Sequence, residues 1–184
     1  MGRIYYHVDM IEQGDENPIC WIACVAMLTS WKTKAHHGIG EFTGGFEPST
    51  SCIPDPNEGW EDLYDNLHKF GFEVDGPDPS ASMCVGANRS MAPSYIENML
   101  RRHGPFMIFV NVIDFPFRGP VCVDEGADPG DTHAIVVSGV DTDEGKVWIV
   151  NPWGTHTPPA DIDVVVKAMQ DIADQGLNPV AYLK

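Results

Sequence analysis

Cys20 occupies a position where a cysteine side chain can act as a nucleophile. It opens the segment CWIACVAMLTSW, which is apolar on nearly every face and therefore predicts a central helix packed on all sides. Pro18 suits the region just ahead of such a helix. A cysteine attacks as its thiolate, and the unpaired N–H groups and the dipole at a helix N-terminus favour that negative charge. Cys20 is therefore the candidate nucleophile, whereas Cys24, one helical turn deeper, is predicted to be a buried apolar residue.

His133 and Asn151 are predicted to meet across a β-hairpin. The segments 134–140 and 146–151 are rich in β-branched residues and flank the turn DTDEG. Pairing centred on the middle residue of that turn places Asn151 opposite Ile135, and His133 then lies one diagonal step away on the same face. Asn151 can therefore hydrogen-bond to the imidazole and fix its tautomer, as the orienting partner of a general base does. A bulge or a one-residue slip would break this arrangement.

The elements that position these residues predict an α+β fold, in which a helical N-terminal part packs on a C-terminal antiparallel sheet. Helical spacing of apolar residues and runs of β-branched or aromatic residues distinguish the two kinds of element. The predicted helices cover 20–31, 59–71, 94–104 and 162–174, and the predicted strands cover 105–113, 134–140, 146–151 and 179–183. Polar or loop segments are predicted over 1–17, 35–58 and 76–92. We expect a single domain over 1–184, with a helical lobe at about 1–103 and a sheet lobe at about 104–184.

The composition is that of an acidic globular protein. Hydrophobic residues make up 43% of the 184 residues, and 11 Lys and Arg stand against 27 Asp and Glu, a net charge of −16. A basic face that could neutralise phosphates is lacking, so nucleic acid is not an expected partner, although a cationic partner or substrate stays open. No signal peptide and no apolar run of about 18 residues is visible. We therefore expect no membrane span, and either a cytoplasmic protein or one exported without a readable signal.

The cysteines and the remaining histidines do not predict a metal site, and no cofactor is expected. The five cysteines form no CxxC pair and lack metal-site spacing; they are Cys20, Cys24, Cys52, Cys84 and Cys122. The odd count implies at least one free thiol. A disulfide between Cys52 and Cys84 stays open because both lie in loop-like sequence, and a reducing compartment is the alternative. Five of the other histidines are expected at the surface; they are His36, His37, His68, His103 and His156.

Three motifs resemble those of the papain-like cysteine proteases and follow one another in that family's order. They are Cys20-Trp21-Ile22-Ala23, Thr132-His133-Ala134 and Asn151-Pro152-Trp153-Gly154, the last similar to the family's Asn-Ser-Trp-Gly segment. Three such motifs in order are more specific than any one alone. The resemblance implies a helical lobe and a barrel-like sheet lobe with the site between them. It also implies a thiolate–imidazolium pair of Cys20 and His133 that attacks an amide carbonyl.

The same resemblance implies two further site residues and a subgroup. Gln13 would donate to the oxyanion together with the Cys20 backbone N–H, although its spacing of seven residues from Cys20 is one longer than the family pattern. Trp153 would shield the contact between His133 and Asn151 from water. The short chain, without the Cys-Gly-Ser that precedes the nucleophile in plant and lysosomal members, is similar to compact bacterial members, including effector and toxin proteases. A peptide or protein substrate is the implied partner, and an inhibitor or immunity protein is a second candidate.

The motifs leave other activities open. An amidase that cuts peptidoglycan stem peptides and a deamidase that acts on a protein glutamine would use the same Cys and His, because a shared site and fold do not fix the substrate. A non-catalytic binding module on the same scaffold could use the acidic surface for a basic partner. The reactivity of the Cys20 thiol separates this module from the enzymes.

Overall fold

Four α-helices and one seven-stranded antiparallel sheet make up the part of the chain that the structure, a computed structural model, describes. The described residues are 2–13, 19–43, 60–75, 92–111, 132–154 and 157–184. The helices are α1 (Cys20–Thr33), α2 (Trp60–Lys69), α3 (Pro93–His103) and α4 (Ile162–Ala173). The strands are β1 (Ile4–Tyr5), β2 (Phe72–Asp75), β3 (Phe106–Asn111), β4 (Thr132–Asp141), β5 (Lys146–Val150), β6 (Ala160–Asp161) and β7 (Val180–Leu183). The predicted α+β class and its main helices and strands are thereby confirmed.

The sheet carries helices on both faces. Its strand order is β2-β7-β3-β4-β5-β6, and β1 pairs with β4. Because side chains alternate along a strand, β3 and β4 send one set of residues towards α1 and α2 and the other set towards α3 and α4. The first set contains Met107, Phe109, Ala134 and Val136, and the second contains Phe106, Ile108, Val110, Ile135 and Val137. Both strands are therefore buried on both sides, which is why their sequences are apolar without alternation.

Helix α1 is the central helix that its sequence predicts. Its first nine residues, 20–28, are all buried, at 5% exposure or less. A helix enclosed in this way has no polar face to keep in water, so its apolar residues show no stripe. Its C-terminal end packs on α3, where a Cβ added to Gly104 would lie only 2.2 Å from the Trp31 ring. The start of α1 is thus buried against the sheet, and its C-terminal end contacts the end of α3.

Three short strands were not predicted. The segment with β1 was expected to be a polar approach to the first helix, and no element was assigned to the residues of β2 and β6. Strands of two to four residues are too short for a period of two to be recognised, and they form only because a neighbouring strand edge is available. Cys52, Cys84, Cys122 and His156 lie outside the described residues. The disulfide between Cys52 and Cys84 therefore stays open, and the surface position of His156 stays a prediction.

The hairpin of β4 and β5 has the predicted register where it matters for the site. Val136 pairs with Val150 and Val137 with Ile149, so one further step places Asn151 opposite Ile135. Nearer the turn the pairing is offset by one residue, and a β-bulge between Val137 and Gly139 restores the predicted register. The bulge, which the sequence analysis treated as a source of error, therefore produces the predicted pairing.

Candidate functional site

The Cys20 thiol lies at the first residue of α1, against the start of β4. Its Sγ atom accepts the backbone N–H of Ala134 at 3.4 Å, a contact between residues 114 positions apart in sequence. The residue is 5% exposed, and its neighbour Ile19 caps the helix without a side-chain hydrogen bond. Ile19 therefore supplies no side-chain cap to the first helical turn, and the positive end of the helix dipole lies near the sulfur.

Asn151 holds the His133 ring through a hydrogen bond of defined direction. The Nε2 atom of His133 lies 3.0 Å from Asn151 Oδ1, and the same oxygen accepts the backbone N–H of Trp153 at 3.1 Å. A backbone N–H can only donate, so the amide atom that it meets must be the oxygen. An oxygen cannot donate to the ring, so His133 Nε2 must carry the hydrogen. The neutral ring therefore keeps its lone pair on Nδ1, as a general base requires.

Trp153 covers the ring of His133. The two rings are stacked, with centroids 3.7 Å apart and planes inclined by 10°. His133 is 4% exposed and Asn151 is 1% exposed, so water is kept away from the hydrogen bond between them. Burial penalises the charged imidazole and lowers the pKa of His133 to about 4, while the hydrogen bond to Asn151 acts in the opposite direction.

Gln13 lies beside the loop that carries Asn151. Its backbone N–H donates to the carbonyl oxygen of Pro152 at 2.9 Å, and its side-chain Oε1 is buried. The loop itself is closed by the Gly154 N–H, which donates to the Asn151 carbonyl at 3.2 Å. The structure thus brings Gln13 to the segment that follows β5, at the same end of the hairpin as His133. Its side-chain role remains a prediction.

Two features near these residues were missed by the sequence analysis. The first is the Ala134 amide, which contacts the Cys20 sulfur and carries no signal in its side chain. The second is Glu12, whose carboxyl group lies so close to Gly154 that a Cβ there would be 2.8 Å from it. The adjacency of Glu12 to Gln13 was the available signal, since any residue next to a site residue is a candidate for the rim of that site.

Cys24 is not part of this cluster. It is buried, and burial raises the pKa of its thiol well above the usual value, with the charge on Cys20 adding to the effect. This is the behaviour predicted for a core cysteine. Among the five described histidines outside the site, His37 contacts Glu41 and His68 contacts the Phe72 carbonyl. Within the described residues no group of three His, Cys, Asp or Glu side chains could hold a metal ion.

The fold is shared with a solved peptidase structure. The whole chain matches 98% of a C39-like peptidase from Bacillus anthracis with a TM-score of 0.62 and 13% sequence identity, which shows a common fold. No curated protein matches this sequence. In the described part of the chain, no helix has both the length and the apolar character needed to cross a bilayer. The fold is thus of the class found in papain-like cysteine peptidases.

Residues 4–163 match the family described as papain-like cysteine protease AvrRpt2. The match spans well over half of the chain, so the chain belongs to this family, whose namesake is a bacterial effector. The resemblance seen in the three sequence motifs is thereby confirmed, and the protein is a cysteine protease.

Proposed function

We propose that this cysteine protease hydrolyses peptide bonds through Cys20, His133 and Asn151 by way of an acyl-enzyme intermediate. The hydrogen bonds from the Trp153 N–H to Asn151 Oδ1, and from His133 Nε2 to the same oxygen, carry the proposal. They keep the imidazole lone pair on Nδ1, where it can accept a proton from a thiol. The contact of Cys20 Sγ with Ala134, the residue next to His133, supports the choice of that thiol.

In the proposed reaction, Nδ1 of His133 takes the thiol proton and Cys20 Sγ attacks the carbonyl carbon of the scissile amide. A C–S bond forms, and an electron pair moves to the carbonyl oxygen. The Cys20 backbone N–H and the Gln13 side-chain amide are the proposed donors to this oxyanion. The imidazolium then gives its proton to the leaving amine as the C–N bond breaks. A thioester remains on Cys20, and water activated by His133 hydrolyses it.

The charge on the thiolate is proposed to sustain the charge on the imidazole. Burial, opposed in part by the hydrogen bond to Asn151, lowers the pKa of His133 to about 4, which would leave the ring neutral near pH 7. A thiolate next to the ring opposes this effect, because an opposite charge favours the protonated form. The start of α1 in turn favours the thiolate through the positive end of the helix dipole. Each partner of the ion pair therefore depends on the other.

The proposed substrate is a peptide or a protein. The same three residues would serve a peptidoglycan amidase or a protein deamidase, and these remain the alternative activities. Incubation with an unfolded protein separates a peptidase from a deamidase, because a peptidase releases new chain termini, whereas a deamidase raises the mass of a glutamine peptide without cutting the chain. A non-catalytic binding module would do neither.

The first test is the pH dependence of Cys20 alkylation by iodoacetamide, read by peptide mass mapping. We expect the reaction to persist well below the free-thiol pKa of about 8.5, because the thiolate is stabilised by the imidazolium and the helix N-terminus. The buried Cys24 lies on the same tryptic peptide as Cys20. It serves as an internal reference that should react slowly.

The controls are His133→Ala and Cys20→Ala. In His133→Ala the low-pH reactivity of Cys20 should be lost, since the positive partner of the thiolate is gone. Cys20→Ala should abolish hydrolysis while the protein remains folded. Ordinary thiol behaviour in both wild type and His133→Ala, or a fully active Cys20→Ala protein, would contradict the proposal.

A further inference from the structure

Glu12 places a negative charge at the rim of the candidate site. Its carboxyl group lies against the backbone of Gly154, where an added Cβ would be 2.8 Å from both Cδ and Oε1. Gly154 has a φ of +75°, a conformation that side chains disfavour, so a glycine suits both the turn and the close approach of Glu12. The next residue, Gln13, is bonded to the same loop through the Pro152 carbonyl. The backbone on both sides of the contact is therefore held in place.

The carboxylate of Glu12 is available to a ligand. Glu12 is exposed, and no ion pair or hydrogen bond joins its side chain to any other residue of the described ranges. The nearby Asp9, by comparison, has His7 at 3.0 Å. Of these two acidic residues of the N-terminal segment, only Glu12 combines an available carboxylate with a contact to the loop that carries Asn151.

The chemistry of the site determines which part of a bound substrate lies next to Glu12. In acyl transfer the protonated histidine delivers its proton to the leaving amine, so the leaving part of the substrate must run beside that ring. Trp153 stacks on His133, and Gly154 follows Trp153 in the chain. The surface next to the leaving part is therefore formed by the Trp153 ring, Gly154 and the carboxylate of Glu12.

We propose that Glu12 is a specificity-determining residue that selects substrates with a Lys or Arg side chain within a few residues after the scissile bond. The inference rests on the proposed function, because it takes the direction of the substrate from the role of His133. A long cationic side chain can lay its methylene groups on the Trp153 ring and bring its charge to the carboxylate. Among the described residues that form this rim, Glu12, Trp153 and Gly154, the charge is that of Glu12.

The expected effect is modest and depends on salt. Ion pairs between exposed groups change binding by about two- to fivefold, and less as ionic strength rises above about 0.1 M. Wild type should therefore cleave a peptide with Lys on the leaving side about two- to fivefold more efficiently than the same peptide with Gln. The ratio should approach one in Glu12→Gln and should invert in Glu12→Lys.

The test begins with a peptide library prepared with a glutamyl endopeptidase, which leaves Lys and Arg inside the peptides. Cleavage sites found by mass spectrometry supply a sequence that is then synthesised as a pair with Lys or Gln after the scissile bond. The kcat/KM ratio of this pair is compared in wild type, Glu12→Gln and Glu144→Gln. Glu144 is a matched control, because it is an exposed carboxylate in the β4–β5 turn, at the other end of the hairpin from Asn151. A Lys preference that persists in Glu12→Gln, or its absence from wild type, would overturn the inference.

A second measurement needs no substrate. Cys20 is treated with a cationic and an anionic alkyl methanethiosulfonate; its thiolate attacks the sulfenyl sulfur, forms a mixed disulfide and releases methanesulfinate. We expect the cationic reagent to be favoured in wild type, and the ratio of the two rates to fall about two- to fivefold in Glu12→Gln but not in Glu144→Gln. If the ratio of the two rates is unchanged in Glu12→Gln, the charge of Glu12 does not act at Cys20, and the inference is refuted. If wild type prefers the cationic reagent but cuts no peptide, the result would instead contradict the proposed hydrolase function.

Discussion

The proposed ion pair predicts that the pKa of His133 differs between proteins with and without the Cys20 thiol. The change is Cys20→Ser, which keeps an atom that can accept the Ala134 N–H but cannot become a thiolate near neutral pH. In this variant only burial and Asn151 act on the ring, and we expect the pKa of His133 to stay at about 4. In wild type the thiolate should raise it.

The size of that rise can be worked out from the charges. For two opposite charges in contact, taken as roughly 4 Å apart with an effective dielectric constant of about 20, the interaction is about 4 kcal/mol. This corresponds to about three pKa units, so His133 in wild type should remain protonated to about pH 7. The value belongs to the pair rather than to either group alone, because the two titrations are coupled.

The assay is NMR titration of the histidine ring signals, with His133 identified by the signal that disappears in His133→Gln. The chain has seven histidines, so this assignment spectrum is needed. We expect the wild-type and Cys20→Ser midpoints to differ by about three units. Equal midpoints in the two proteins would show that no thiolate charge reaches the ring, and the ion-pair mechanism would be refuted.

The same shift predicts how Cys20→Ser responds to acid. The unfolded histidine has a pKa of about 6.5 and the folded one of about 4, so between these values the unfolded state binds one more proton. Stability is therefore fully present above about pH 6.5 and falls by about 1.4 kcal/mol per unit towards pH 4, a loss of about 3 kcal/mol. Urea unfolding across this range measures the slope. Wild type should show a smaller loss at pH 5 to 6, since its ring is already charged.

Two further substitutions test the packing around the site. Asn151→Ala removes a buried acceptor of two N–H groups, so we expect a loss of about 2–4 kcal/mol in urea unfolding and a fall of about 10²-fold in kcat/KM; unchanged turnover would remove Asn151 from the mechanism. Gly104→Ala drives a Cβ into Trp31 at a φ of +80°, whereas Gly176→Ala has nearly the same φ of +79° and open space. The first should cost about 2–4 kcal/mol and the control about 1 kcal/mol, and equal losses would show that the Trp31 contact contributes nothing.

The local features of this protein could be predicted from its sequence. The long helices and the main strands follow from periodicity and residue type, which act over short stretches of chain. The pairing of His133 with Asn151 was also predictable, because both belong to one hairpin and lie 18 residues apart. Even there, the register at the site depends on a bulge at Gly139, where a Cβ would meet the Ile4 carbonyl at 2.7 Å.

The contacts between distant segments were decided only by the tertiary structure. Periodicity says which face of an element is apolar but not which other element covers it, so the pairing of Cys20 with His133 could be expected only through family resemblance, and the contact of Cys20 with Ala134 was missed. The contact of Glu12 with Gly154 had no signal beyond the adjacency of Glu12 to Gln13, and the burial that lowers the pKa of His133 had none. Sequence therefore determined which side chains could do chemistry, whereas packing decided their electrostatic surroundings, because burial and charge depend on neighbours that are remote along the chain.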